Sequence, residues 1–152
     1  MIQKKYRVFV YGTLMNGARN AHLLSNSTLI NPNAITAEAS FLMQQFNSAT
    51  SKGKHTPGVL KNGDKHIEGE IWEVDEETLA RLDELEGYSP NLSLNKNKYL
   101  REEIKMKDGS TAWIYIINTK ENQPISLPHD RILYDKDTNT LSWVREEPRL
   151  TP

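Results

Sequence analysis

The chain has 152 residues, a formal net charge of -1, 37% hydrophobic residues and no cysteine. This length and composition predict one folded domain over residues 1–152, and the absence of cysteine excludes disulfides and thiolate chemistry. Because the charge is nearly balanced and no apolar run approaches the roughly 20 residues that span a bilayer, we expect a cytoplasmic protein without nucleic-acid or membrane partners. Composition leaves the oligomeric state open.

The N-terminal part of the chain opens with a clear strand signal. β-Branched and aromatic residues predict a strand at 6–11, which is interrupted at Gly12. A short helix is expected around Arg19 to Leu24, and residues 34–43 are compatible with a strand. The sequence NSATSKGKHTPG at 47–58 is typical of a turn-rich loop.

The middle of the chain predicts a strand followed directly by a helix. HIEGEIWEV at 66–74 is typical of a strand, and Gly69 within it indicates a bulge or the close approach of another backbone. Asp75 is a natural N-cap for the helix that follows. We expect this helix to run to Glu86, with Gly87 as its C′ residue.

The C-terminal part predicts two hairpins. Strands are expected at Tyr99–Lys107 and Thr111–Asn118 with Asp108-Gly109 as the turn between them, and ILYDKDTNTLSWV at 132–144 indicates a second hairpin. Strands therefore outnumber helices, and consecutive strands mostly join through turns. The expected fold class is α+β, a small mixed and mostly antiparallel β-barrel with one or two flanking helices.

Two stretches carry candidate chemistry, whereas the four histidines (22, 55, 66 and 129) lack metal-ligand spacing and predict no metal site. The first stretch is VYGTLMNGARN at 10–20, where a strand ends in a tight glycine turn. Successive backbone N–H groups at such a turn can form a nest for a carboxylate or an oxyanion. Ordinary strand ends share this pattern, so both interpretations stay open.

The second stretch is LARLDELEGY at 79–88. At about 100° per residue the leucines form one apolar stripe, and Glu86 falls about 20° from Leu79 on that stripe. Desolvation and the negative end of the helix would favour the protonated acid there, raising its pKa toward the range useful for proton transfer. The alternative is a carboxylate that reaches solvent or pairs with a basic residue such as Arg101.

Taken together, these stretches resemble the gamma-glutamylcyclotransferase-like family, which also holds the AIG2-like proteins and the gamma-glutamylamine cyclotransferases. The matching segments come in the family's order and cover most of the chain from Tyr6 to Asn118. They are VYGTL at 10–14, NGARN at 16–20, TPGVL at 56–60, EGEIWEV at 68–74, LDELEGY at 82–88, YLRE at 99–102 and AWIYI at 112–116.

The resemblance implies a small β-barrel with a cavity where the Tyr-Gly turn meets the helix. It also implies a cyclotransferase that converts a gamma-glutamyl amine or a gamma-glutamyl peptide to 5-oxoproline and free amine, without a cofactor. The family's catalytic glutamate falls on Glu86. Its substrate-binding residues fall on Tyr11, Gly12, Thr13, Leu14 and Tyr99.

The implied reaction needs one proton carrier and no enzyme nucleophile or metal, because the substrate's own α-amine attacks its gamma carbonyl. A single carboxyl can take a proton from the amine and return it to the leaving nitrogen. The second hypothesis is a catalytically silent module that keeps the fold and captures a small amine or a peptide end.

Overall fold

The computed structural model describes residues 4–12, 15, 21–47, 55–61, 63–86, 99–117 and 132–143, without the side chains at 21, 44–47, 55–57, 85 and 86. Thr13, Leu14 and Gly87, all named in the predictions, lie outside these ranges. Within them the chain forms nine strands, one α-helix and a short 3₁₀ helix at Ala21–Leu24. The elements are β1 Lys5–Val10, β2 Thr28–Ile35, β3 Phe41–Asn47, β4 His55–Lys61, β5 His66–Asp75, α1 Glu76–Glu86, β6 Tyr99–Lys105, β7 Thr111–Ile117, β8 Ile132–Asp135 and β9 Thr140–Trp143.

One mixed sheet dominates the fold. Its strands run in the order β6-β7-β1-β5-β9-β8, and β2 pairs with β5 on a separate branch. The pairs β1–β5, β2–β5, β6–β7 and β8–β9 are antiparallel, whereas β1–β7 and β5–β9 are parallel. β3 and β4 form a separate antiparallel hairpin. The predicted α+β fold class, with a mixed and mostly antiparallel sheet, is confirmed.

The main sheet curls so that the β2 branch meets β6 at the sheet's edge. Beyond the ends of β2 and β6, the Ala37 N–H donates to the Lys105 carbonyl at 3.0 Å, and the Lys107 N–H donates to the Ile35 carbonyl at 2.9 Å. These bonds join β2 to β6, so that β1, β5, β2, β6 and β7 form a ring. A closed ring leaves fewer exposed strand edges than an open sheet of the same size.

The core of the molecule fills this ring and the space beneath α1. Phe9 on β1 lies opposite Ile71 on β5, and both side chains are buried. On α1 the side chains of Leu79 and Leu82 are buried, which confirms the predicted apolar stripe as far as the described side chains extend. The helix therefore packs on the sheet through the face that sequence periodicity indicated.

Several local predictions are confirmed. The Thr78 N–H donates to Asp75 Oδ1 at 2.8 Å, which is the expected N-cap. Gly109 has a φ of 90° in the turn between β6 and β7, a conformation that glycine adopts without strain. A Cβ built at Gly69 would lie 2.2 Å from the Val10 carbonyl oxygen, so this glycine does permit a close backbone approach.

The structure before β5 differs from the sequence prediction. The stretch at 34–43 is divided between the end of β2 and the start of β3, with a bend between them. The last four residues of the expected loop, 55–58, belong to β4. Pro57 lies in a two-stranded sheet and Pro32 lies at a register shift of β2, and both are settings where a strand accepts proline. The helix expected near Leu24 is the 3₁₀ turn.

Candidate active site

The Tyr-Gly turn follows directly from β1. β1 ends at Val10, and the Gly12 carbonyl accepts a hydrogen bond from the Met15 N–H at 3.0 Å, which closes a tight turn. Tyr11 is buried, and its hydroxyl donates to the Tyr115 carbonyl at 2.7 Å. The same hydroxyl oxygen accepts a longer hydrogen bond of 3.4 Å from the Val59 N–H. The phenol of Tyr11 thus fixes the start of the turn to β7 and β4.

The last turn of α1 is fixed to the sheet by Asp83. Its Oδ1 accepts a hydrogen bond from the Tyr115 hydroxyl at 2.7 Å, and its Oδ2 accepts one from Arg101 Nη1 at 2.7 Å. The side chains of Asp83 and Arg101 are only 15% and 17% exposed, so solvent screens this ion pair weakly. The Arg101 guanidinium also lies over the Trp113 ring, 5.1 Å from its centroid.

These contacts bring the Tyr-Gly turn and the end of α1 to the same end of the sheet. Val8 and Trp113 are paired in the parallel strands β1 and β7, which sets Tyr115 beside Val10, the last residue of β1. Tyr115 contacts Tyr11 through its carbonyl and Asp83 through its hydroxyl. The two segments that the sequence singled out therefore meet at one buried tyrosine.

Of the predicted site residues, Tyr11, Gly12 and Tyr99 are described in full, and Glu86 is described as the last residue of α1 without its side chain. Tyr99 is buried at the start of β6, two residues before Arg101, so strand alternation places both side chains on one face. Arg101 forms an ion pair with Asp83. The predicted alternative, a pairing of Arg101 with Glu86, stays a prediction because the side chain of Glu86 lies outside the described ones.

The sequence interpretation missed a buried carboxylate, Glu70. Its side chain is 0% exposed, and its Oε1 accepts a hydrogen bond of 3.0 Å from Trp72 Nε1. On one side Glu70 pairs with Val10, the last residue of β1, so it lies close to the Tyr-Gly turn. On its other side, the pairing of β5 with β2 is interrupted by a register shift. β5, HIEGEIWEVD, carries four acidic residues, so no local pattern in its sequence distinguishes Glu70 as the buried one.

A cleft of about 500 Å³ opens at the other end of β6 from Tyr99. Lys61 and Glu102 form an ion pair at its wall, next to Phe41 and Ile104. The residues that line this cleft include neither Asp83, Arg101 nor Tyr115, so it is distinct from the contacts around Tyr115.

The described residues hold no group of three His, Cys, Asp or Glu side chains arranged to bind a metal ion. His66 instead contacts the Thr36 carbonyl through Nδ1 at 2.9 Å. None of the helices in the described ranges has the length and apolar character needed to cross a membrane.

Comparison with known proteins gives a consistent result. A family model described as "Gamma-glutamyl cyclotransferase, AIG2-like" matches residues 8–135. The gamma-L-glutamyl-butirosin B gamma-glutamyl cyclotransferase of Niallia circulans is 33% identical over 113 residues, which are 73% of this chain and 66% of that protein. The gamma-glutamylcyclotransferase family protein YtfP of Escherichia coli K12 is 31% identical over 110 residues, covering 72% of this chain and 80% of that protein.

A solved structure with the same fold is that of an AIG2-like protein from Mus musculus. It aligns with a TM-score of 0.61 and 22% sequence identity, and the alignment covers 97% of this chain and 99% of that one. At this identity the similarity establishes the fold alone.

Proposed function

The chain belongs to the gamma-glutamyl cyclotransferase, AIG2-like family, and on that premise we propose that it converts a gamma-glutamyl amine or a gamma-glutamyl peptide to 5-oxoproline and the free amine. The catalytic unit is a single domain over residues 1–152 that works in the cytoplasm without a cofactor. The Niallia circulans relative is named for a gamma-glutamyl derivative, which supports the substrate class.

The reaction is an internal transfer within the substrate. The nitrogen of the α-amine attacks the gamma-carbonyl carbon and forms the ring C–N bond of 5-oxoproline. The original bond between that carbon and the amine nitrogen breaks. The proton lost by the attacking nitrogen passes to the leaving nitrogen, so no oxidant, reductant or second substrate takes part. One carboxyl that alternates between base and acid can carry that proton.

We assign the proton transfer to Glu86. It is the last residue of α1, three positions after Asp83 and four after Leu82. At about 100° per residue its position falls between those two on the helix. Leu82 is buried and Asp83 bonds to the sheet, which supports a role for Glu86 on the sheet-facing side.

Binding of the substrate is assigned to the turn at the end of β1, where Tyr11, Gly12, Thr13 and Leu14 would present backbone N–H groups to the α-carboxylate or to the developing oxyanion. Tyr99 would line the cavity with its hydroxyl. The observation that carries this proposal is the meeting of the Tyr-Gly turn and the end of α1 at Tyr115.

The direct test is incubation with gamma-glutamyl dipeptides, gamma-glutamyl-lysine and glutathione, followed by quantification of 5-oxoproline and released amine. We expect equal amounts of the two products from at least one substrate. Saturable binding of these compounds without any product would favour the silent binding module, and an absence of both binding and turnover across the panel would contradict the proposed function.

A further inference from the structure

We propose that Tyr115 is a positioning residue for this reaction, a buried strut that holds the end of α1 at a fixed place relative to the Tyr-Gly turn. The inference rests on the proposed function for its catalytic consequence, but its geometry is independent of it. Tyr115 contacts the turn through one group and the helix through another. Both contacts involve hydrogen bonds of 2.7 Å.

Tyr115 makes two chemically different hydrogen bonds, called here the turn arm (to Tyr11) and the helix arm (to Asp83). Its main-chain carbonyl accepts from the Tyr11 hydroxyl, and the position of this carbonyl is set by the pairing of β7 with β6 and β1. Its side-chain hydroxyl donates to Asp83 on α1. A substitution by phenylalanine therefore removes the helix arm and retains the turn arm.

The helix arm is well suited to fix a position. Tyr115 is 3% exposed, and a hydrogen bond to a carboxylate in a place of little solvent is stronger than one between neutral groups at the surface. Arg101 binds the second oxygen of Asp83 and is itself stacked on Trp113. Asp83 is thereby held by two donors, one on each oxygen, and its rotation is restricted.

Loss of the helix arm should affect catalysis because proton transfer depends on the distance between the carboxyl of residue 86 and the substrate. In the proposed reaction the carboxyl at position 86 exchanges a proton with a substrate held by the turn, and misplacement of a reacting group by about 1 Å can lower a rate on the order of 100-fold. Asp83 lies one helical turn before Glu86. A loss of the helix arm should reduce proton transfer more than substrate binding.

The experiment compares Tyr115→Phe with Tyr134→Phe. Tyr134 also donates a hydrogen bond from its hydroxyl, to Asn139 Oδ1 at 3.0 Å, but it is exposed on β8. We expect Tyr115→Phe to lower kcat by roughly 10- to 100-fold with KM within about twofold of wild type, and Tyr134→Phe to change neither constant. An unchanged kcat, or a loss confined to KM, would overturn the proposal.

A double-mutant cycle tests whether Tyr115 acts through Asp83. Asp83→Ala removes the acceptor, so we expect it to lower kcat by itself and to make Tyr115→Phe nearly silent in its background. Independent, additive losses would contradict the strut. If Tyr115→Phe does not fold, Asp83→Ala alone carries the test, with a lower kcat at an unchanged KM as the required result.

Hydrogen exchange separates this proposal from the proposed function, because it needs no turnover. In the wild-type protein the amides at 83–86 should be protected from exchange to the same degree as those in the middle of α1. Without the contact to Tyr115, this last turn should exchange faster, as helix ends usually do. Tyr115→Phe should accelerate exchange at 83–86 and leave residues 76–79 unchanged. A frayed last turn in the wild type would overturn the strut, whereas an inactive wild-type enzyme with a protected last turn would contradict only the proposed function.

Discussion

At the scale of single residues, substitution of Glu86 tests the proposed proton transfer most directly. Glu86→Gln keeps the size of the side chain and its ability to form hydrogen bonds, but it removes the proton acceptor. We expect kcat to fall by about 100-fold or more on a verified gamma-glutamyl substrate, with the melting temperature retained. Steady-state kinetics and circular dichroism measure the two quantities.

The matched control is Glu84→Gln, two residues earlier on the same helix. Glu84 is exposed and should be replaced without loss of activity. Near-wild-type turnover of Glu86→Gln, or an equal loss in both variants, would remove Glu86 from the mechanism.

Glu70 is expected to matter for stability because it is fully buried and binds Trp72. Glu70→Ala leaves a cavity and deprives the indole N–H of its acceptor, so we expect a loss of about 2 to 4 kcal/mol in the free energy of unfolding. Glu70→Gln retains an acceptor and should lose less. Urea unfolding can compare both with Glu73→Ala, a partly exposed control on the same strand. If Glu70→Ala were as stable as that control, the buried side chain of Glu70 would contribute nothing to the free energy of unfolding.

The residue scale also shows where prediction from the sequence stops. Periodicity places Glu86 on the apolar stripe, but Asp83 lies within about 40° of Leu79 on the same wheel and was passed over. Tyr115 lies in the apolar segment AWIYI and is buried, as the composition of that segment indicates. Its contacts with Asp83 and Tyr11 join residues that are 32 and 104 positions away in the chain. No local pattern encodes such distances.

At the scale of elements, the N-cap of α1 predicts a dependence of stability on pH. The backbone N–H and the side chain of Thr78 beside Asp75 hold the pKa of its carboxyl below the usual value. A lowered pKa means that the cap stabilises the fold fully above the unfolded-state pKa of about 3.9, and that this stabilisation is lost as pH falls through the folded-state pKa. Asp75→Asn keeps a capping oxygen that does not ionise.

We therefore expect the melting temperature of wild type to exceed that of Asp75→Asn at neutral pH, with the gap closing below about pH 4. Thermal unfolding across this range measures the gap. Asp137→Asn, in the exposed turn between β8 and β9, controls for the general loss of a negative charge. A gap that stays constant with pH would contradict the assignment.

The elements that the sequence predicted well share one property, a strong local signal. β1 and β7 are rich in β-branched and aromatic residues, and the turns at Asp108-Gly109 and Lys136–Asn139 lie between clear strands. No strand was predicted at 28–33, and 55–58 was assigned to a loop; the strands found there, β2 and β4, each contain a proline. Proline normally argues against a strand, and only the tertiary structure reveals a bulge or a two-stranded sheet that accepts it.

At the scale of the whole molecule, the contact between β2 and β6 closes the ring. Ala37→Pro removes the N–H that binds the Lys105 carbonyl, so we expect the free energy of unfolding to fall by about 1 to 3 kcal/mol. Ala39→Pro is the control. Among the turn and loop hydrogen bonds of the described residues, none is donated by the backbone N–H of Ala39. Chemical unfolding of both variants measures the difference. Equal stability of the two would mean that this closure contributes nothing.

The strand order could not be predicted from the sequence for a physical reason. Hairpins such as β6–β7 follow from turn chemistry, but the parallel contacts of β1 with β7 and of β5 with β9 join strands that are distant in the chain. Such pairings depend on which apolar faces fit together, and composition does not specify that. The barrel-like class was therefore predictable, whereas its arrangement was not.

The central place of β1 determines how the chain must fold. Its partners β5 and β7 follow much later in the sequence, whereas β6 and β7, like β8 and β9, pair with immediate neighbours. Local hairpins close quickly, and long-range pairings wait for larger loops to close. During synthesis the apolar residues of β1 stay unpaired until β5 has left the ribosome, and in that interval they are exposed to aggregation and to chaperones. β1 is the first strand to be made, yet it obtains its second neighbour only when β7 has been made.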